Sequence, residues 1–277
     1  MSSTAPSPEE RVELATAGAA PFDLSGGPHA ALLLHGLTGS PYEMRYVADR
    51  LNAHGARCLG PVMAGHGGDP RALLGLTWRD WVEGARRELS RLDGARRVLV
   101  VGCSMGALVA CALAHSEPRR IAGLALLAPA LRLGPVARLA AFVGGRPPLG
   151  RLFPLVPKAG GSDVRDPVQR RLNPAMRAVP LSAVRELVDL AHHVDRLLPE
   201  ITVPALVIAG RHDHTVELSG ARRIARRIGS APGRLVVLER SFHLVGIDVE
   251  RDRCAAEVAT FLDSIAALEG GAARGGD

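Results

Sequence analysis

Short apolar runs alternate with amphipathic stretches along most of this 277-residue chain, and that alternation leaves few folds open. AALLL at 30–34, RCLG at 57–60, RVLVVG at 97–102, IAGLALL at 121–127, PALVIAG at 204–210 and RLVVL at 234–238 read as buried strands. The stretches 42–54, 78–93, 105–116, 217–229 and 250–268 carry apolar residues three and four apart and read as helices. Strands joined by helices of this length pair in parallel through right-handed crossovers, so helices cover both faces of one sheet. The predicted fold is α/β, with a doubly wound, mostly parallel sheet.

The alternation breaks once, between Pro129 and about Glu200, where nine prolines punctuate Leu- and Arg-rich pieces. Its helical parts, such as SAVRELVDLAHHVDRLL at 182–198, have an apolar face. The expectation is a core of 21–130 and 200–268 interrupted by a small helical insertion, 131–199, that packs over the carboxyl edge of the sheet. Residues 1–20, rich in Ser, Pro, Ala and Glu, and 269–277, rich in Gly, read as frayed tails without chemistry.

Charge and composition narrow the function. Of 34 basic side chains only Lys158 is a lysine, and aromatic residues make up 3% of the chain. The arginines are scattered in pairs with no aromatics between them, which speaks for a solvated basic surface and against a nucleic-acid partner. No stretch reaches the ~18 uninterrupted apolar residues of a membrane span, leaving only peripheral contact with a lipid surface open. Cys58, Cys103, Cys111 and Cys254 lack paired spacing, and no signal-like stretch precedes them, which suggests a reduced cytoplasmic compartment. His212 and His214 flank Asp213, but no third ligand or metal motif completes a sphere, and phosphate-loop motifs are absent. Neither a metal nor another cofactor is expected, and oligomeric state is not legible.

The stretch RVLVVGCSMGALVACAL sets Gly102-x-Ser104-x-Gly106 between an apolar strand and an apolar helix. A strand turning sharply into a helix has no room for side chains beside the serine, which accounts for glycine two residues to either side. Ser104 is then exposed at the tip, and the free N–H of Met105 at the helix start points to where a carbonyl oxygen would become an anion. A tight turn without chemistry is the competing reading.

A serine hydroxyl needs an imidazole base held by a carboxylate. In this architecture reacting groups sit on loops after strands, which singles out Asp213 in GRHDHTV and His243 in ERSFHLVGID. A turn or cap acid ahead of a helix is the alternative for Asp213, and a plain loop histidine for His243. Asp248 is the rival acid; its expected place is the start of the last helix.

His35-Gly36-Leu37-Thr38-Gly39-Ser40-Pro41 follows the first strand. An oxyanion hole takes its second N–H from this loop, here Leu37, with Gly36 allowing close approach and His35 organising the loop. Gly65-His66-Gly67 reads as a second glycine-permitted loop on the same rim.

LLLHGLTGSP, the later GHG, GCSMG, VPALVIAGRHDHTV and SFH before LVGID together resemble the α/β-hydrolase family, and within it small bacterial carboxylesterases and monoacylglycerol lipases, over residues 20–268. The resemblance implies Ser104 as nucleophile, His243 as base, Asp213 as its partner, and the N–H groups of Leu37 and Met105 as oxyanion donors. It also implies a lid at about 131–196 over an apolar acyl pocket and hydrolysis of a small-molecule ester or lipid. Where many relatives carry glycine, this chain has Ala107 and Phe242; Phe242 is expected to narrow the leaving-group side. Thioesters, amides or acyl transfer by the same triad stay open, as does a silent ligand-binding scaffold.

Overall fold

The computed structural model describes residues 18–95, 98–144, 155–158, 161–229 and 233–272. Seven strands form one sheet in the order β1-β3-β2-β4-β5-β8-β9. They are β1 (Phe22–Leu24), β2 (Ala30–Leu34), β3 (Arg57–Gly60), β4 (Val98–Cys103), β5 (Ile121–Leu127), β8 (Ala205–Gly210) and β9 (Arg234–Leu238). All pairings are parallel except the edge strand β1 against β3, which the sequence reading did not include.

Every residue of β2, β4, β5 and β8 is buried, because both faces of the sheet are covered. Alternate side chains supply two separate cores. Leu32, Leu34, Val98 and Val100 pack toward α2 (Trp78–Ser90), α3 (Met105–Ser116), α6 (Leu181–Leu197) and α7 (Leu218–Arg227). Ala31, Leu33, Leu99 and Val101 pack toward α1 (Tyr42–Ala53) and α8 (Arg251–Ala272). The central helix α3 is buried on every side from Met105 to Ala114, which explains why its sequence is apolar rather than amphipathic.

Between β5 and β8 the chain leaves the sheet and forms α4 (Pro135–Gly144), β6 (Leu155–Pro157), α5 (Pro167–Leu172), β7 (Ala178–Pro180) and α6. β6 and β7 pair antiparallel from Leu155↔Pro180 to Pro157↔Ala178. This segment is tied to the carboxyl edge of the sheet: Met176 N–H donates to the Thr38 carbonyl at 2.8 Å and Tyr42 Oη to Gln169 at 2.9 Å. The last helix continues to Ala272, past residue 268 where fraying was expected; residues 1–17 and 273–277 of the expected tails lie outside the described residues. No helix among the described residues is long and apolar enough to cross a membrane.

Candidate active site

The loops after β2, β4, β8 and β9 converge at the carboxyl edge of the sheet. Ser104, between β4 and α3, has φ 54° and ψ −110°, a left-handed conformation that is strained for a residue with a side chain. Its glycine neighbours are sterically required. A Cβ on Gly102 would lie 2.5 Å from the Ala107 nitrogen, and one on Gly106 would lie 2.7 Å from the His35 carbonyl oxygen. The elbow can therefore form only where strand and helix backbones meet without side chains between them.

Ser104 Oγ lies 2.9 Å from His243 Nε2, and His243 Nδ1 lies 2.8 Å from Asp213 Oδ2. Because the carboxylate is acceptor-only, Nδ1 carries the proton, which leaves Nε2 free to accept from the serine hydroxyl. Asp213 Oδ1 accepts the N–H groups of Thr215 and Val216, both at 2.8 Å. The turn-acid reading and the base-orienting reading of Asp213 thus describe its two oxygens. Burial disfavours the His243 imidazolium, but the charge and hydrogen bond of Asp213, with the charges of Asp163 and Glu43, outweigh it and raise its pKa above the ordinary histidine value.

Asp248, the rival acid, is fully buried elsewhere. Its Oδ1 accepts the N–H groups of Arg165, Asp166 and Val249 at 2.8–3.0 Å and its Oδ2 that of Phe242 at 2.7 Å. It neither holds the imidazole nor caps α8, which starts three residues later. It clamps the histidine loop to the segment entering α5, because four converging N–H groups satisfy a buried carboxylate.

Asp163, which the sequence reading missed, ties the same loops from the other side. Its carboxylate accepts His214 N–H at 2.9 Å, faces His214 Nδ1 at 2.8 Å and accepts Thr215 Oγ1 at 3.1 Å. Its carbonyl accepts the N–H groups of His243 and Leu244, both at 3.2 Å. No local pattern marks it, since its partners lie 51 to 81 residues further on.

The loop after β2 is held from below. The buried His35 accepts Met63 N–H on Nε2 at 3.0 Å and donates from Nδ1 to the Gly36 carbonyl at 2.9 Å. Burial pushes its pKa down to about 3, so it is a neutral strut. Gly36 packs so closely that a Cβ there would meet Ser104 Cβ at 3.2 Å. Its N–H donates to Glu43 Oε2 at 3.3 Å. The N–H groups of Leu37 and Met105 have no hydrogen-bond partner among the described residues.

A cavity of about 220 Å³ opens beside Ser104 and His243. Leu133, Ala137, Val179, Val184, Leu187 and Leu244 give it an apolar wall; Glu43, Lys158, Asp163 and Thr215 give it a polar one. Lys158 Nζ donates to Thr38 Oγ1 at 2.9 Å. Burial depresses the Lys158 pKa and raises that of Glu43, while their opposite charges partly offset both shifts. Two sequence signals could have found this pair: Lys158 is the only lysine in the chain, and Glu43 falls on the α1 stripe with Val47 and Leu51 that is otherwise apolar.

Of the expected rim residues, Gly36 lines the cavity, whereas His35, His66 and Phe242 do not. His66 packs edge-on to His35 behind the loop, with ring centroids 5.0 Å apart. Phe242 does not narrow the leaving-group side as expected: with its N–H held by Asp248, its ring turns outward, edge-on to His214 at 4.6 Å and beneath the Arg165 guanidinium. His193 stacks on Trp78 at 4.6 Å.

A mostly parallel sheet with a serine at a strand-to-helix elbow, facing a histidine and an aspartate from two later strand ends, defines the α/β-hydrolase fold. Within that class the chain belongs to the serine aminopeptidase S33 family, which it matches over residues 28–250. It is 30% identical over 235 residues to a thermostable monoacylglycerol lipase of Bacillus sp. (strain H-257), covering 84% of this chain and 90% of that one. It is 25% identical over 247 residues to a carboxylesterase of Bacillus subtilis (strain 168), covering 88% of this chain and 96% of that one. Among solved structures it superposes with TM-score 0.81 and 28% identity on one from the metagenome-derived lipolytic enzymes LipS and LipT, covering 89% of this chain and 98% of that one. Its likeness to the monoacylglycerol lipase of Paleococcus ferrophilus, TM-score 0.72 at 17% identity over 88% of this chain and 99% of that one, is one of fold.

Proposed function

We propose that the protein is a carboxylesterase or lipase-type serine hydrolase that cleaves carboxylic esters through an acyl-enzyme. The observation that carries this reading is the line from Ser104 Oγ through His243 to Asp213, with separations of 2.9 and 2.8 Å, at the mouth of a cavity. The relatives named as monoacylglycerol lipase and carboxylesterase support the same chemistry. His243 Nε2 takes the hydroxyl proton as Ser104 Oγ attacks the ester carbonyl carbon. The resulting oxyanion is held by the N–H groups of Leu37 and Met105, each worth about 3–4 kcal/mol of barrier. Collapse breaks the bond to the alcohol, which leaves with the proton from Nε2. Water then attacks the acyl-enzyme, giving its proton to Nε2, and the acid departs as Ser104 is restored.

The segment between β5 and β8 acts as the lid, since α4 and α6 supply Ala137, Val184 and Leu187 to the apolar wall. At about 220 Å³ the cavity is smaller than the ~300–1,000 Å³ common for drug-sized ligands, which favours short to medium acyl chains. A 4-nitrophenyl butyrate burst that Ser104→Ala abolishes, with fluorophosphonate labelling of Ser104, tests the mechanism; wild-type turnover by that variant refutes it. Matched ester, thioester and amide substrates test the bond cleaved, with the ester expected to be fastest.

A further inference from the structure

The loop that carries Leu37 is pinned on both sides of that residue. Gly39 N–H donates to the Gly36 carbonyl at 3.1 Å, closing a turn with Leu37 and Thr38 at its two central positions. Thr38 has φ 63°, the left-handed region that the second central position of such a turn normally reserves for glycine or asparagine. A β-branched residue is strained there and stays only where its surroundings hold it.

The segment between β5 and β8 supplies the hold. Met176 N–H donates to the Thr38 carbonyl at 2.8 Å and Lys158 Nζ to its hydroxyl oxygen at 2.9 Å. These two donors sit on one ladder: β6 and β7 pair as far as Pro157↔Ala178, and Lys158 N–H then donates to the Arg177 carbonyl at 2.8 Å. The small two-stranded sheet thus grips Thr38 from both its strands, at the backbone and at the side chain. On the other side of Leu37, Gly36 N–H is held by the buried Glu43 carboxylate at 3.3 Å. A peptide N–H fixed between two such anchors keeps its direction.

Lys158 is oddly partnered for a cation that only supports the fold. It forms no ion pair among the described residues; Glu43 and Asp163 act on it through their charges at longer range, and its hydrogen bond goes to Thr38. A partly buried ammonium with a purely structural role is normally found against a carboxylate.

We propose that Lys158 is a positioning residue of the oxyanion hole: through the Thr38 hydroxyl it holds the turn in the left-handed conformation that aims Leu37 N–H at the developing oxyanion. This role rests on the acyl-enzyme reading above, in which Leu37 is one of two donors. The segment between β5 and β8 then sets the geometry of the reaction as well as walling the cavity.

The test is a double-mutant cycle on turnover of 4-nitrophenyl butyrate by the full chain, with circular dichroism verifying the fold of each variant. Lys158→Met keeps the aliphatic stem and removes the donor. Its kcat is expected to fall about tenfold or more with KM changed less than about twofold, because a misaimed donor weakens the transition state more than the bound ester. Thr38→Val keeps the branched side chain and its strain but not the acceptor, so it is expected to lose as much, and the two together no more than either. Glycine takes the left-handed position unaided, so in a Thr38→Gly background Lys158→Met is expected to cost less than about threefold. Full loss in that background would mean that the ammonium acts on the substrate or the fold rather than through Thr38, and would overturn the proposal. So would an unchanged kcat in Lys158→Met, or a loss confined to KM. If Lys158→Met does not fold, Thr38→Val decides alone, and wild-type kcat there refutes the role. Ser104→Ala separates the two levels: turnover that needs Ser104 but neither Lys158 nor Thr38 leaves the acyl-enzyme standing and ends the role of Lys158.

Discussion

The strained backbone at Ser104 makes a prediction that runs against the usual order of alanine and glycine. At φ 54° and ψ −110° a residue with a Cβ carries about 1–3 kcal/mol of strain, which only glycine escapes. Ser104→Ala keeps the Cβ and therefore the strain. Ser104→Gly removes it but frees the unfolded chain, at a cost of about 0.4–1 kcal/mol. Both variants lose the same 2.9 Å bond to His243 Nε2, so that loss cancels in the difference. Subtracting the two effects leaves Ser104→Gly more stable than Ser104→Ala by about 1 kcal/mol. In a chain of this size that corresponds to roughly 2–4 °C in melting temperature. Urea unfolding of the two inactive variants, with equal m values, measures the difference. An alanine variant as stable as the glycine variant, or more so, refutes the idea that the elbow stores strain to present its hydroxyl.

The remaining expectations concern the surroundings of the elbow. Gly106→Ala sets a methyl group against the His35 carbonyl and the end of β2, and is expected to destabilise by about 3 kcal/mol or more in denaturant melts. Asp213→Asn is expected to lower kcat by about 10⁴-fold with the fold intact, because an amide no longer fixes the His243 tautomer; Asp248→Asn is expected instead to lower stability, read by the same melts and kinetics. His243 must be neutral to accept a proton and its pKa is raised, so the acid limb of kcat/KM is expected above the ordinary histidine value of about 6.5. Glu43→Gln removes one charge that favours the imidazolium and should move that limb to lower pH in a pH–rate profile. His35 is neutral when folded and protonates freely when unfolded, so its contribution to stability is present above about pH 6.5 and lost as pH falls toward about 3; His35→Gln is expected to flatten this part of the stability profile.

The sheet and its reacting groups were legible along the chain because they rest on local rules. Strands buried on both faces appear as unbroken apolar runs, and β2, β3, β5 and β9 fall where those runs lie. The elbow glycines, with Asp213 and His243 one loop beyond later strands, follow from the need to place three polar groups at one edge of a parallel sheet. The short strand β1 escaped notice because three residues give too little period, and α4 because a helix apolar on two sides has no stripe to detect.

What the chain could not declare was which distant groups meet. Asp163 and Lys158 acquire their partners, and Glu43 its facing cation Lys158, only when the segment between β5 and β8 folds back over the sheet. Asp248 was placed at a helix start on local grounds, but tertiary packing brought it N–H groups from Arg165 and Asp166, more than eighty residues away. Phe242 and His66 were set on the rim by their neighbours in sequence and turned from it by ring contacts with His214 and His35. Backbone periodicity is written residue by residue, whereas the satisfaction of a buried charge depends on donors that only the closed fold supplies.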